Sequence, residues 1–313
     1  MPLNFAQVNE YLSKNKDKFE KFTQEYQQEL DILTAATQSV FNMSYHDIMQ
    51  QIASISNCGA IPSEEYKQGL LIPCNRFKNI KDLRSLTNWA VNHLRGNTVV
   101  GSDGSQIYPS SEYSIPVSVV QVAWFRNFHR PGEKYEKLTR VDILSPEELL
   151  VRSKDKKTKV ERVQIGEEPV NAKRFEMEME VLKEQINFCK NHQIQQPSFF
   201  ISDGSLILSF IAQIHEPYKS KHWDVLRDAL DTAEYANYPM IGYVDSSDAK
   251  DVANMIRTIK ANTLNDVKYI SDASLLESYL YQLTKSPLNL GDRTCCFICR
   301  RGEIGRASCR ERV

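Results

Sequence analysis

From Phe5 to about Val40 the chain is polar, lacks Gly and Pro, and carries apolar side chains at wide intervals, among them Phe19, Phe22, Tyr26, Leu30 and Leu33. That spacing predicts one long helix with a thin apolar stripe, a packing or dimer element. A second helix is expected from Ser44, as its cap, through Ile48 and Ile52. Residues 58–77, with Pro62, Pro73 and two Gly, read as loop. Helix returns at 80–94 and ends at Gly96. Residues 115–128 and 138–144 alternate as strands do. Beyond Asp203 helix and strand alternate: helices at 219–236, 248–261 and 272–283, and a strand at 240–244. An antiparallel meander followed by α/β units predicts an α/β fold.

Two copies of one tripeptide stand out. Asp103-Gly104-Ser105 follows Thr98-Val99-Val100, and Asp203-Gly204-Ser205 follows Phe199-Phe200-Ile201, runs whose β-branched and aromatic residues suit buried strands. Each copy is expected to place an acid at a strand's carboxyl end. A carboxylate there, with a Gly that permits close approach and a Ser that donates or accepts, suits gripping a divalent cation or a phosphate. Asp-Gly between apolar residues is also a hairpin signature. A turn explains either copy alone, but not the repeat.

Between the two acids a helix is expected at 172–192. Advancing about 100° per residue, Met179, Leu182, Ile186 and Cys189 fall within about 40° of Phe175 and define its buried face. Glu178 lies on the margin of that face, at about −60°, while Glu176, Glu180 and Glu184 turn toward solvent. A carboxylate on an inward margin is costly to bury unless it meets a cation or pairs with Arg174 one turn earlier. Glu178 is therefore the candidate third ligand beside Asp103 and Asp203.

Four segments together resemble the NurA nucleases: Val99-Val100-Gly101-Ser102-Asp103-Gly104-Ser105-Gln106-Ile107-Tyr108-Pro109, Phe200-Ile201-Ser202-Asp203-Gly204-Ser205-Leu206, Ile241-Gly242-Tyr243-Val244-Asp245-Ser246-Ser247, and Leu290-Gly291-Asp292-Arg293-Thr294 before Phe297. The resemblance implies an RNase H-like core and Mn²⁺-dependent DNA cleavage, with Mg²⁺ as the alternative ion. It also implies a glutamate ligand from the helix before the second acid motif, single-stranded DNA or exposed ends as substrate, and a HerA-type hexameric ATPase as partner; the thin-striped N-terminal helix adds the expectation of a homodimer. The expected segments are a helical region at 1–95, the nuclease domain at 96–302, and a foreign tail at 303–313. That tail, Glu303 to Val313, is similar to an in-frame translation of a short-read sequencing adapter. On this reading the natural gene continues past Gly302, and a C-terminal histidine of the family has no counterpart here.

Composition adds limits. Without the tail's three Arg and two Glu, the 39 basic and 40 acidic residues become 36 and 38, a net charge of −2. DNA must then be held by local patches, because counterion release rewards only the phosphates contacted. Arg126, Arg130 and Lys134, among Trp124, Phe125, Phe128 and Tyr135, are the candidates, with aromatic faces to stack on unpaired bases. The charged run from Arg152 to Arg162 reads as a solvated hairpin tip or a DNA contact. Ser105 and Ser205 read as turn or supporting residues, Arg293 as a phosphate contact or a core ion pair, Asp248 as a helix N-cap, and Asp272 as another cap. Six cysteines outside the tail fit reduced, buried thiols, and Cys296-Phe297-Ile298-Cys299 lacks the second half of a zinc site. No apolar run approaches a bilayer span and no signal peptide opens the chain, so a cytoplasmic protein is expected.

In this chemistry two cations about 3.5–4 Å apart activate the water and stabilise the leaving oxygen, with Asp103 as the bridging carboxylate. Two rival readings stand beside it. One is an actin-like ATP-binding phosphotransferase, which also uses paired Asp-Gly-Ser turns. The other is a catalytically inactive adaptor for the translocase.

Overall fold

The structure, a computed structural model, describes residues 4–77, 80, 82–110, 112–154, 161–194, 198–208, 211, 214–261, 264 and 268–301. The tail at 303–313 and most of the charged run, 155–160, lie outside the described residues. The chain forms two compact units, Met1–Asn79 with Ser246–Val313, and Ile80–Asp245. This grouping differs from the expected segments. The helix before Gly96 joins the sheet, and the chain from Ser246 returns to the N-terminal helices.

The expected long N-terminal helix is two, α1 (Phe5–Lys14) and α2 (Lys16–Phe41). They separate at Asn15, whose side-chain amide and backbone N–H both donate to the Tyr11 carbonyl. Ser44 caps α3 (Tyr45–Ile52) as expected, its Oγ accepting the Asp47 N–H at 3.1 Å. The stretch read as loop contains two short strands, β1 (Gly59–Pro62) and β2 (Leu71–Ile72).

In the second unit α4 (Leu83–Leu94) starts at Asp82, whose Oδ1 accepts the Ser85 N–H at 2.7 Å. The meander follows as β3 (Thr98–Ile107), β4 (Ser118–Asn127) and β5 (Glu136–Leu144). β6 (Leu150–Lys154) and β7 (Glu161–Ile165) pair antiparallel, which fits the hairpin expected there. Then come α5 (Glu168–Asn191), β8 (Ser198–Asp203), α6 (Tyr218–Ala236) and β9 (Met240–Tyr243). The five-stranded sheet has the order β5-β4-β3-β8-β9, antiparallel through the meander and parallel from β3 to β9. This mixed sheet is the α/β arrangement that the pattern predicts, and it fits the RNase H-like core that the resemblance implies.

α5 packs on β3, β4 and β8 with one side and on α6 with another. Its buried residues therefore include Met177, Val181 and Gln185 besides the expected Met179, Leu182, Ile186 and Cys189. The wheel finds one buried face because it has no knowledge of β4: Phe175 on the expected face stacks on His222 of α6, while Met177 and Val181 pack on the meander and Gln185 holds Arg126. Val120, Val122, Leu144, Leu149, Val170, Met177 and Val181 form the core between helix and meander.

The first unit is completed by α7 (Asp251–Ile259), α8 (Asp272–Thr284), β10 (Arg293–Thr294) and β11 (Phe297–Arg300). β10 pairs with β2, and β11 with β1. Asp248 is not the cap expected of it, since α7 begins three residues later. Asp272 does cap, but for α7 rather than its own helix. Its carboxylate accepts the Val252 and Ala253 N–H groups at 3.0 and 2.8 Å, where a helix N-terminus favours negative charge.

Phe200 on β8 is fully buried and pairs in register with Val100 on β3. Phe200→Ala is expected to destabilise the protein by about 3–5 kcal/mol, read by chemical unfolding.

Candidate active site

β3 and β8 lie side by side, and their parallel register runs Val100 to Phe200, Gly101 to Ile201 and Ser102 to Ser202. Asp103 and Asp203 each come one residue after the last pair. The repeated motif therefore occupies equivalent positions on neighbouring strands, whose backbones lie about 4.8 Å apart. Both acids are exposed. The serines before them are buried, so the repeat is really Ser-Asp-Gly-Ser, and the shared leading serine is a signal that the tripeptide comparison overlooked.

Beyond the acid the two copies diverge. β3 continues straight through Asp103-Gly104-Ser105, paired with β4 as far as Ile107, so the first copy is neither a hairpin turn nor a strand end. Asp203 is the last residue of β8. Gly204 after it has φ +120°, a left-handed conformation suited to glycine, and its N–H donates to the Tyr243 carbonyl at 2.8 Å.

Alternation along β3 turns Ser102, Gly104 and Gln106 toward α5. The Ser102 hydroxyl lies 3.5 Å from the Glu178 carbonyl oxygen, and Gln106 accepts from Arg174 at 3.2 Å. At Gly104 a Cβ would stand 2.2 Å from Glu178 Oε1 and 2.7 Å from Arg174 Cγ. The Glu178 carboxyl thus occupies the volume that any other residue's side chain would take. The sequence pattern assigns this glycine to the approach of an ion; the group that approaches is the glutamate.

Glu178 carries the electrostatic strain of the site. Burial pushes its carboxyl up to about 7, and the charges of Asp103 and Asp203 push the same way; Arg174 and a hydrogen bond from the Gly104 N–H oppose them. Arg174 Nε is 3.6 Å from Oε1, so the pairing one turn earlier and the site placement coexist. Among the described residues no three acidic, His or Cys side chains gather closely enough to make a ready cation cluster. The donor chemistry nevertheless fits a hard divalent cation: a largely buried carboxylate is held at the expense of its own charge, within reach of the charges of two exposed ones.

The other expected residues divide. Ser105 is exposed, two positions beyond Asp103 and therefore on the same face of β3. Ser205 is a turn residue, its Oγ accepting the Ile207 N–H at 3.0 Å. Arg293 belongs to the other unit, where its guanidinium holds Glu65 by two 2.9 Å contacts and, with the Cys296 N–H, keeps that carboxyl down to about 2. The pair is solvent-exposed rather than a core ion pair. Glu176 does not face solvent freely, since Lys221 at 2.8 Å and Lys173 at 3.3 Å hold it.

Arg126 must be corrected. It is 4% exposed, donates to Gln185 at 2.6 Å, pairs with Glu136, and lies over the Phe188 ring. A guanidinium so engaged has no face left for a DNA phosphate. The alternation that suggested an outer face does not register that α5 covers this side of β4. Arg130 and Lys134 are exposed.

The sequence profile of the NurA domain matches residues 97–310, most of the chain and all three carboxylates. The chain belongs to the NurA domain family. Among solved structures, the NurA nuclease from Sulfolobus solfataricus aligns at 12% identity and a TM-score of 0.29, over 65% of this chain and 64% of that one. RNase H1 from Halobacterium salinarum NRC-1 aligns at 8% identity and 0.25, over 51% and 89%. A NurA structure with manganese aligns at 8% and 0.20, over 71% and 55%. The chain thus spans less than two thirds of these NurA structures. No curated protein sequence matches it.

The seat of Glu178 yields two expectations. Below about 4.5, its ordinary value, the carboxyl is neutral folded and unfolded and costs nothing. Between about 4.5 and 7 the unfolded chain loses this proton while the folded one keeps it, so stability falls as pH rises and the full cost of about 3 kcal/mol is reached by about pH 7. Glu178→Gln in chelator should therefore stabilise the NurA chain at pH 8 and change nothing at pH 4.5, by urea unfolding. Gly104→Ala should displace both the Glu178 carboxyl and the Arg174 stem, costing about 1–3 kcal/mol of stability.

Proposed function

We propose that this NurA-family chain is a metal-dependent deoxyribonuclease that hydrolyses phosphodiester bonds at single strands and exposed ends, with Asp103, Asp203 and Glu178 as its cation-holding carboxylates. The observation that carries the reading is the in-register pair of acids on adjacent parallel strands with a third carboxylate seated on the glycine beside the first. The charges of Asp103 and Asp203 act on the Glu178 carboxyl, and a divalent cation drawn in among the three would relieve that repulsion. Mn²⁺ suits such oxygen donors, and Mg²⁺ is the alternative. The bound ions would supply charge for the attacking water and the leaving oxygen.

The protein's own residues orient this chemistry. Asp103, held in a continuous strand, offers a carboxylate whose backbone is fixed by pairing with β4. Asp203 brings a second from the adjoining strand end. Glu178 closes the third side once its proton is lost, and Gly104 leaves the space for it. Arg174, hydrogen-bonded to Gln106, steadies Glu178. Arg130 and Lys134 remain the candidate DNA contacts.

The exposed apolar side chains on α1 and α2, including Tyr11, Leu12 and Phe19, support the homodimer expected of these thin-striped helices. A HerA-type ATPase partner belongs to the same proposal, as does a cytoplasmic location. Among the described residues no helix is long and apolar enough to cross a membrane.

Asp103→Asn and Asp203→Asn should each lower Mn²⁺-dependent cleavage of single-stranded DNA more than about 100-fold, because a lost ligand charge costs at least ~3 kcal/mol at the transition state. DNA affinity in chelator should hold within about threefold, since cationic phosphate contacts remain. Turnover within tenfold of wild type in either variant removes the assignment. Glu178→Gln should be far more damaging than Glu176→Gln or Glu180→Gln. If Glu180 is instead the sensitive position, the placement of α5 against Gly104 is wrong.

A further inference from the structure

At the end of the sheet away from the carboxylates, Phe128, Arg130, Lys134, Phe188 and His192 line an open cleft of about 580 Å³, within the size range of small-ligand sites. Its wall is a stack. The Arg126 guanidinium lies 3.6 Å from the Phe188 ring centre, and the His192 ring is stacked on Phe188 at 4.0 Å and 24°. Two groups that close to one ring cannot share a face of it, so guanidinium, phenyl ring and imidazole lie in three layers. The inner layer is locked, because Arg126 is buried and held by Gln185 and Glu136. The outer layer ends in an exposed imidazole, whose Nδ1 is tied to the Phe188 carbonyl at 2.9 Å. A rigid stack that stops at an exposed ring is a platform for another flat ring.

Cations flank the platform. Arg130 stands near Phe128 and meets Glu133 at 3.4 Å, a half-exposed pair that a phosphate can break into. Lys134 is exposed at the same cleft. Two routes give the cleft's distance from the acids. Along α5, ten residues separate Glu178 from Phe188, roughly 15 Å. Along β3, Val99, which pairs with the residue preceding Phe128, is four residues from Asp103, roughly 13 Å.

We propose that this cleft holds one unpaired nucleotide of the DNA strand whose scissile phosphate lies at the carboxylates, the base stacking on His192 and the phosphate meeting Lys134 and Arg130. The proposal rests on the nuclease reading and gives it a polar direction: the strand runs from the acids along α5. Duplex DNA, with its bases already stacked on each other, has no ring to offer the platform, so the cleft favours single strands.

The test measures binding of fluorescein-labelled dT12 to the full chain in chelator, where no cleavage occurs, by fluorescence anisotropy. His192→Ala should weaken binding about tenfold, in line with the loss of one base stack, and His192→Phe, which keeps a ring, should restore it to within about twofold. Lys134→Ala should weaken binding less and flatten the salt dependence by about one phosphate contact. Binding of a dT12·dA12 duplex should be unchanged by His192→Ala. Binding of dT12 to His192→Ala within twofold of wild type overturns the proposal, as does failure of His192→Phe to restore it. Competition by free dTMP as tight as that by unlabelled dT12 also overturns it, marking a mononucleotide pocket instead. If cleavage is absent in wild type but these binding effects hold, the nuclease reading fails and the cleft stands; the opposite result leaves the carboxylates and removes the cleft.

Discussion

The site depends on one close approach, the Glu178 carboxyl lodged against a strand backbone at the only kind of residue that leaves room for it. Every other feature of the catalytic unit serves or results from that contact. α5 must lie tightly across β3, which it does by burying Met177, Val181 and Ile186. β3 must run without interruption past Asp103, and its continuous pairing with β4 keeps it so. A carboxylate pressed into this position beside two others is uncomfortable in its charged form. On the proposed reading that discomfort favours a cation: below about pH 7 the carboxyl is relieved by a proton, and a bound cation would take the proton's place.

Register carries the second half of the design. In a parallel pair, residues at equivalent positions turn to the same side, so repeating Ser-Asp-Gly-Ser on two adjoining strands delivers two acids together without any long-range adjustment of side chains. The glycines then part company in role. Gly104 makes space for a neighbouring helix, whereas Gly204 takes a left-handed conformation that ends β8 and releases the chain toward α6. One sequence motif thus meets two structural demands because both demands exclude a side chain, one by volume and one by backbone angle.

Much of this was legible in the residues. The repeated acids, the phase that singled out Glu178, the meander and the caps at Ser44 and Asp82 derive from local periodicity and side-chain chemistry, which act over a few residues. What was illegible depends on partners far along the chain. Arg126 looked like a surface cation because alternation on β4 cannot reveal that Phe188 and Gln185 cover it from α5. Glu176 looked solvated because Lys221 arrives from α6. The break at Asn15 is a local event that composition smooths over, and the return of residues after Ser246 to the N-terminal helices requires the short β1 and β2 strands to find β11 and β10, pairings more than 200 residues apart in sequence.

The central claim is that Glu178 exchanges its proton for a cation. Calorimetric titration of Mn²⁺ into the full chain at pH 6.5, in two buffers of different ionisation enthalpy, measures that exchange directly. With a carboxyl poised at about 7, wild type should release roughly three-quarters of a proton per site filled, and Glu178→Gln should release none while binding more weakly. Equal proton release by the two proteins, or Mn²⁺ binding of equal strength, would contradict the account.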